Sequence, residues 1–357
     1  MSELRTVLIR RILATGPLTL ADYMAECLFH PSLGYYTGAE VFGAAGDFTT
    51  APEISQVFGE ILGLALAQGW IDQGRPETVA LAELGPGRGT LIADMLRAAT
   101  AVAGWRSALR VHLVEASPKL REVQRRALGE APAKWHHTVQ DLPEAPLYLV
   151  ANEFFDALPI RQFVRDGGAW RERIIVVRDG ALSFALSEPV PVAALAHRLA
   201  DTRDGDVVEH CPALAGIVGE IARRIVTCGG MALIVDYGGW RSLGDTFQAL
   251  RNHRGTDPLA APGHADLTAH VDFERIAAAA LDAGAAITPL TGQGAFLELL
   301  GITARAQALA ARIAPGPALE NHIAAHRRLT HPQEMGSLFK TLAIYPPDTP
   351  QPPGFAR

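Results

Sequence analysis

From residue 79 onward, short apolar runs alternate with helical periods. Val79–Leu84 is continuously apolar apart from Glu83 and ends at Gly85, and a helical pattern follows over 90–101. Residues 111–114 read as a strand. Residues 117–128 read as a helix with Pro118 in its first turn. Further apolar runs lie at 147–150 and 231–235. Runs this short, lacking polar alternation and separated by helices, predict a mostly parallel sheet covered on both faces. Such a sheet binds ligands outside the carboxyl ends of its strands, so the chemistry is expected just after each run.

Before residue 79 the pattern is helical and loop-rich. Thr19 is positioned to cap a helix over 20–28 with Asp22 in its first turn. Pro52 precedes a helical period starting at Glu53, with Thr49 or Thr50 as the expected cap. Between the third and fourth runs, 161–164 and 173–177 look like strands, and a helix-rich stretch begins at Val192. Beyond the fourth, 246–250 and 286–290 read as strands, 273–283 as a helix, and 303–345 as mostly helical. The expected division is 1–75 (helices and a cofactor-covering loop), 76–240 (the sheet core with an insertion at 160–230), and 241–357 (a substrate-side insertion, the last core strands and C-terminal helices).

Composition narrows the class. Of 357 residues, 48% are hydrophobic and 20% charged, as in a folded globular chain. The net charge of −6 argues against a nucleic-acid binder. Cys27, Cys211 and Cys228 are too scattered for a disulfide framework and read as small apolar residues in a reducing compartment. No apolar run reaches the ~18–20 residues of a membrane span. Arg5, Arg10 and Arg11 interrupt any signal-peptide core. A cytoplasmic location is expected, and the mitochondrial matrix only if the short N-terminus acts as a targeting segment.

The densest motif is Glu83-Leu84-Gly85-Pro86-Gly87-Arg88-Gly89-Thr90, between a strand and a helix start. Its glycines allow close backbone approach, and the helix end presents unpaired N–H groups. The spacing is G-x-G-x-G, not the G-x-G-x-x-G of dinucleotide folds, and it resembles motif I of class I S-adenosylmethionine (SAM) methyltransferases. That resemblance makes Glu83, Gly85, Pro86, Gly87 and Gly89 cofactor-binding candidates. Glu115, at the end of the second run, is the candidate for the ribose hydroxyls. Asp141 with Leu142 is the candidate for the adenine, and Asn152 stands at the substrate edge. A helix-terminal Glu115 and a solvated turn at Asp141 are the competing readings.

Six segments carry a resemblance that is more specific: 46–60 (GDFTTAPEISQVFGE), 83–90 (ELGPGRGT), 152–160 (NEFFDALPI), 235–238 (VDYG), 266–273 (DLTAHVDF) and 335–340 (MGSLFK). Together they resemble the MidA-like family of SAM-dependent methyltransferases, whose mitochondrial members are complex I assembly factors and protein arginine methyltransferases. The resemblance implies a Rossmann-like class I core, plus a second, mainly helical part. It implies SAM as cofactor and an arginine-bearing protein substrate, with a respiratory complex I subunit as the candidate the family offers. It places the segment with Asp47, Thr50 and Glu53 over the cofactor.

Methylating a guanidinium requires carboxylates that pin it, because its lone pairs are delocalised. Glu153 and Asp156, flanking Phe154 and Phe155, are the chosen pair, beside Asn152. The competing reading makes Asp156 a turn cap and the rings core. His270 is a candidate proton acceptor, against a structural histidine. Tyr237, after the fourth run, is expected to line the substrate channel or to pack under a glycine turn. Adjacent His136 and His137, and His322 with His326, lack a metal-site context, so no metal is expected. An NAD(P)-dependent oxidoreductase, a non-catalytic SAM-fold assembly protein and a small-molecule methyltransferase are the alternatives. Oligomeric state is not legible.

Overall fold

The computed structural model describes residues 2–37 and 49–356; Gly46, Asp47 and Phe48 of the first motif segment lie outside the described residues. The chain forms two compact units, each assembled from three stretches of sequence. One holds the described residues of 49–155, 215–240 and 272–357; the other those of 1–48, 156–214 and 241–271.

The first unit is built on a sheet of seven principal strands. These are β1 Val79–Leu84, β2 Leu109–Val114, β3 Ala133–His136, β4 Leu147–Asn152, β5 Gly230–Gly239, β6 Ala286–Ile287 and β7 Phe339–Tyr345. Their order is β3-β2-β1-β4-β5-β7-β6. The five strands from β3 to β5 are parallel, and β7 runs antiparallel to β5 and β6. Chain order reverses between β1 and β4, which is the switch point where such sheets open a crevice. Every residue of β1 and β4 is buried, as their near-continuous apolar runs predict. Helices α1 Ala51–Ile54, α2 Gln56–Asp72, α3 Thr90–Ala99, α4 Pro118–Leu128, α5 Leu214–Cys228 and α6 Phe273–Asp282 accompany the sheet. Phe58, Trp70, Trp105 and Tyr148 are among the large side chains of its apolar core.

Four local features depart from the pattern read along the sequence. The helical period from Glu53 is two helices, because Ser55 is extended (φ −157°) and its hydroxyl caps α2 through the Val57 N–H. The tail ends in β7, where Thr341, Leu342, Ala343 and Ile344 are buried beside β5. The short strand β3 carries no apolar run, because it lies at the end of the strand order and is half-buried. The stretch after Val192 is a 3-10 helix, Ala193–Ala200.

The second unit combines helices Glu3–Thr15 and Leu20–Phe29 with two antiparallel sheets, so it carries more strand than the mainly helical second part that the resemblance implies. In the five-stranded sheet, Ala169–Arg178 and Arg161–Asp166 pair at the centre. In the three-stranded sheet, Gln248–Arg251 lies between Arg254–Thr256 and Asp266–Thr268. Thr19 and Asp22 form the expected capping box: the Asp22 N–H donates to Thr19 Oγ1 at 3.0 Å, and the Thr19 N–H to Asp22 Oδ2 at 3.3 Å.

Candidate active site

The carboxyl ends of β1, β2, β4 and β5 are tied to one another. The Gly85 N–H donates to the Val114 carbonyl at 3.0 Å, and the Glu153 N–H to the Val235 carbonyl at 2.9 Å. Gly85, Gly87 and Gly89 all have positive φ (58°, 53° and 83°), which L side chains rarely adopt. A Cβ on Gly85 would stand 3.0 Å from the Phe154 ring. The loop after β1 and the loop after β4 therefore pack at van der Waals distance across the switch point.

Gln124, fully buried on α4, holds the glycine loop to the neighbouring carboxylate. Its amide donates to the Gly87 carbonyl at 2.9 Å and to Glu115 Oε2 at 3.1 Å, and its oxygen accepts from the Trp135 indole at 2.8 Å. Glu115 Oε1 accepts from the Ser117 N–H at 2.8 Å. Burial raises the Glu115 carboxyl pKa, opposed by these donors. Nothing in the local sequence marks Gln124, since a glutamine within a helix is unremarkable until its neighbours are known.

Glu83 is buried, and burial pushes its carboxyl up to about 8 despite a hydrogen bond from the Ile92 N–H, with Glu115 adding to the rise. Its Oε2 has no hydrogen-bond partner among the described residues, and neither has the buried Asn152 Oδ1. The Asn152 amide donates to Glu153 Oε1 at 3.1 Å.

Glu153 has a left-handed backbone (φ 50°), a conformation costly for a side chain with a long stem. Its Oε1 also accepts from the Ala51 N–H, the first of α1, at 3.1 Å. Thr50 is the N-cap residue by position, but its side chain makes no capping bond. The cap expected from Thr50 is supplied by Glu153. Glu53 Oε1 accepts from the Thr90 hydroxyl at 2.5 Å, so the 50–53 segment meets both the loop after β4 and the start of α3. Asp236, fully buried, accepts from the Phe155 N–H at 3.0 Å and from the Tyr237 N–H at 2.9 Å, fixing the Asn152–Phe155 turn from β5. The Tyr237 ring packs edge-on against Phe339 at 5.5 Å.

Asp141 is exposed, and its Oδ2 takes three bonds: from the His137 N–H (3.2 Å), the Thr138 N–H (2.9 Å) and the Thr138 hydroxyl (3.0 Å). Leu142 is buried, and its carbonyl accepts from Arg224 at 2.5 Å. Asp156 and His270 belong to the second unit, unlike the other site residues. The His270 N–H donates to Thr246 Oγ1 at 2.9 Å, and the His270 side chain is exposed. Among the described residues, no three His, Cys, Asp or Glu side chains are grouped to hold a metal, and no helix is long and apolar enough to cross a membrane. His322 and His326 instead bond to the Ala306 carbonyl and the Thr303 hydroxyl.

Residues 61–290 match the family model of S-adenosyl-L-methionine-dependent methyltransferases designated Methyltransf_28. The chain is 38% identical to the protein arginine methyltransferase NDUFAF7, mitochondrial, of Danio rerio, over 94% of this chain and 85% of that one. It is 35% identical to its human counterpart, over 95% and 82%. A Burkholderia thailandensis protein crystallised with S-adenosyl-homocysteine superposes with a TM-score of 0.85 at 32% identity, covering 99% of this chain and 94% of that one. The site fits such a cofactor: the glycine loop leaves no Cβ in the way, and two buried acceptors, Glu83 Oε2 and Asn152 Oδ1, suit a ligand rich in N–H groups. The nicotinamide alternative is thereby set aside, and the chain belongs to the NDUFAF7/MidA-like family of SAM-dependent methyltransferases.

Proposed function

We propose that this enzyme is a protein arginine N-methyltransferase. The observation that carries the reading is the Asn152–Glu153 turn. It sets a carboxylate at the end of β4, beside the switch point, on a strained backbone that Asp236 and Val235 hold in place. The curated relatives named as protein arginine methyltransferases support it.

In this reading Gly85, Pro86, Gly87 and Gly89 bring backbone against the cofactor, and Glu83 and Asn152 accept from its amino-acid end. Glu115 accepts from the ribose hydroxyls, Asp141 and Leu142 border the adenine, and Thr50 covers the site. SAM, when bound, supplies a methyl group on a sulfonium as the electrophile. Glu153 accepts N–H bonds from the incoming guanidinium, assisted by Asp156, and so orients the nitrogen to be methylated. Phe154 and Phe155, packed edge-on at 5.2 Å, keep water from the reacting atoms. His270 takes the proton that the guanidinium loses. The partner is a protein bearing the target arginine, with a respiratory complex I subunit as the candidate, and the enzyme acts in the cytoplasm.

The test is incubation with methyl-labelled SAM and a lysate of the host cell, followed by amino-acid analysis of the labelled protein. Label in methylarginine is expected. Label confined to small molecules, to lysine or to carboxylates overturns the reading.

A further inference from the structure

The second unit buries two carboxylates around one phenol. Asp266 begins the strand Asp266–Thr268, whose Leu267 packs into that unit's apolar core with Ala249 and Leu259. Alternation along a strand puts Asp266 and Thr268 together on the opposite face. Each is only 3% exposed. Asp266 Oδ1 accepts from the Tyr36 hydroxyl at 3.0 Å. Asp156 is 6% exposed, and its carbonyl accepts at 3.0 Å from the N–H of Ala269, the residue after Thr268. Burial first, then Asp266 and Asp156, raise the Tyr36 pKa well above the ordinary value, so the phenol stays a donor.

A second observation is independent of the acids. The buried Thr268 Oγ1 has no hydrogen-bond partner among the described residues. A buried hydroxyl without a partner is costly and asks for one. The Tyr36 ring is partly exposed and stacks on Phe29 at 5.7 Å, and Phe29 is 41% exposed. An aromatic surface therefore leads from solvent to the phenol.

Two buried carboxylates that both act on one phenol, with an unpartnered hydroxyl beside them and an aromatic face nearby, match one side chain best. A guanidinium offers five N–H donors in a plane, pairs bidentately with carboxylates and stacks on rings, and it is more weakly hydrated than an ammonium. We infer that Asp156, Asp266, Thr268 and Tyr36 form a pocket that recognises an arginine side chain of the protein substrate. The inference deepens the arginine reading above and rests on it. Asp266, Thr268 and Tyr36 become specificity residues, and Asp156 acts with them in recognition.

The probe is N-acetyl-arginine amide, titrated by NMR against N-acetyl-citrulline amide, which keeps the shape without the charge. Saturable arginine binding is expected, about tenfold or more tighter than citrulline, as loss of charge assistance implies. Asp266→Asn should weaken it by about tenfold. Thr268→Val keeps the shape, and it should weaken arginine binding without lowering the thermal midpoint, which a merely structural hydroxyl would lower. Equal response to both amides, no saturable binding, or unchanged affinity in Asp266→Asn overturns the pocket. The lysate assay separates the two readings. If wild type methylates arginine and Asp266→Asn does so with unchanged KM, the pocket fails and the enzymatic reading stands. If arginine amide binds through Asp266 but label never enters arginine, the enzymatic reading fails and the pocket stands.

Discussion

The Glu153 carboxylate accepts a hydrogen bond at 3.1 Å from the backbone N–H of Ala51, which is 102 positions earlier in the chain. The residue just after β4, proposed above to pin the guanidinium, thus also caps the short helix that leads into α2. Its backbone is left-handed, and Asp236 anchors the turn that carries it.

Glu153→Gln separates the two roles. The amide oxygen can still accept from Ala51, so stability should change by less than ~1 kcal/mol, the scale of a helix cap. Cofactor affinity should be retained, while single-turnover methyl transfer at saturating SAM falls by about two to three decades, as expected when a charged group acts in the transition state. Wild-type transfer by the variant would remove the guanidinium-pinning role.

Gly85→Ala tests the contact between the two loops. Its Cβ would stand 3.0 Å from Phe154 at a φ of 58°, and positive φ alone costs a non-glycine residue about 1 kcal/mol. Gly87→Val adds a branched side chain at a φ of 53°. Calorimetry with S-adenosyl-homocysteine should show weakened binding in the first and none in the second, with the circular dichroism of both still native.

Gln124→Met removes one amide that serves three partners. Loss of its bonds to Gly87, Glu115 and Trp135 should cost ~2–4 kcal/mol of stability, the scale for leaving buried polar groups unmade. Urea denaturation measures this. Cofactor affinity should fall as well, since the glycine loop and Glu115 lose their common tether.

Glu83 sets a pH dependence. Its folded-state pKa, about 8, lies above the ordinary 4.5, so the folded state binds more protons than the unfolded state between those values. The stabilisation is fully present below pH 4.5 and is lost as pH rises through 8. Ligand-free protein should therefore be less stable at pH 8 than at pH 5.5, and Glu83→Gln should flatten that slope in chemical denaturation. An unchanged slope would show that Glu83 does not titrate there.

Much of the first unit was legible from hydrophobic pattern alone. The near-continuous apolar runs of β1 and β4 are buried on both faces, and that pattern has few solutions besides a covered parallel sheet. The positions of the glycine loop, Glu115, Asp141 and Asn152, at or after the carboxyl ends of successive parallel strands, follow from the same pattern. Local chemistry was enough for the Thr19–Asp22 cap and the Ser117–Pro118 helix start.

What the sequence could not decide depends on contacts between distant residues. The Ala51 cap comes from Glu153, the tether of Gly87 from Gln124, and the support of Phe155 from Asp236. None has a local signature, since each donor finds its acceptor only after the sheet has brought the strand ends together. Likewise, Asp156 stands three residues from Glu153 along the chain, but only the fold brings it near Tyr36, whose hydroxyl donates to Asp266. Periodicity identifies which residues are buried and where strands end; only tertiary packing decides which buried polar groups meet.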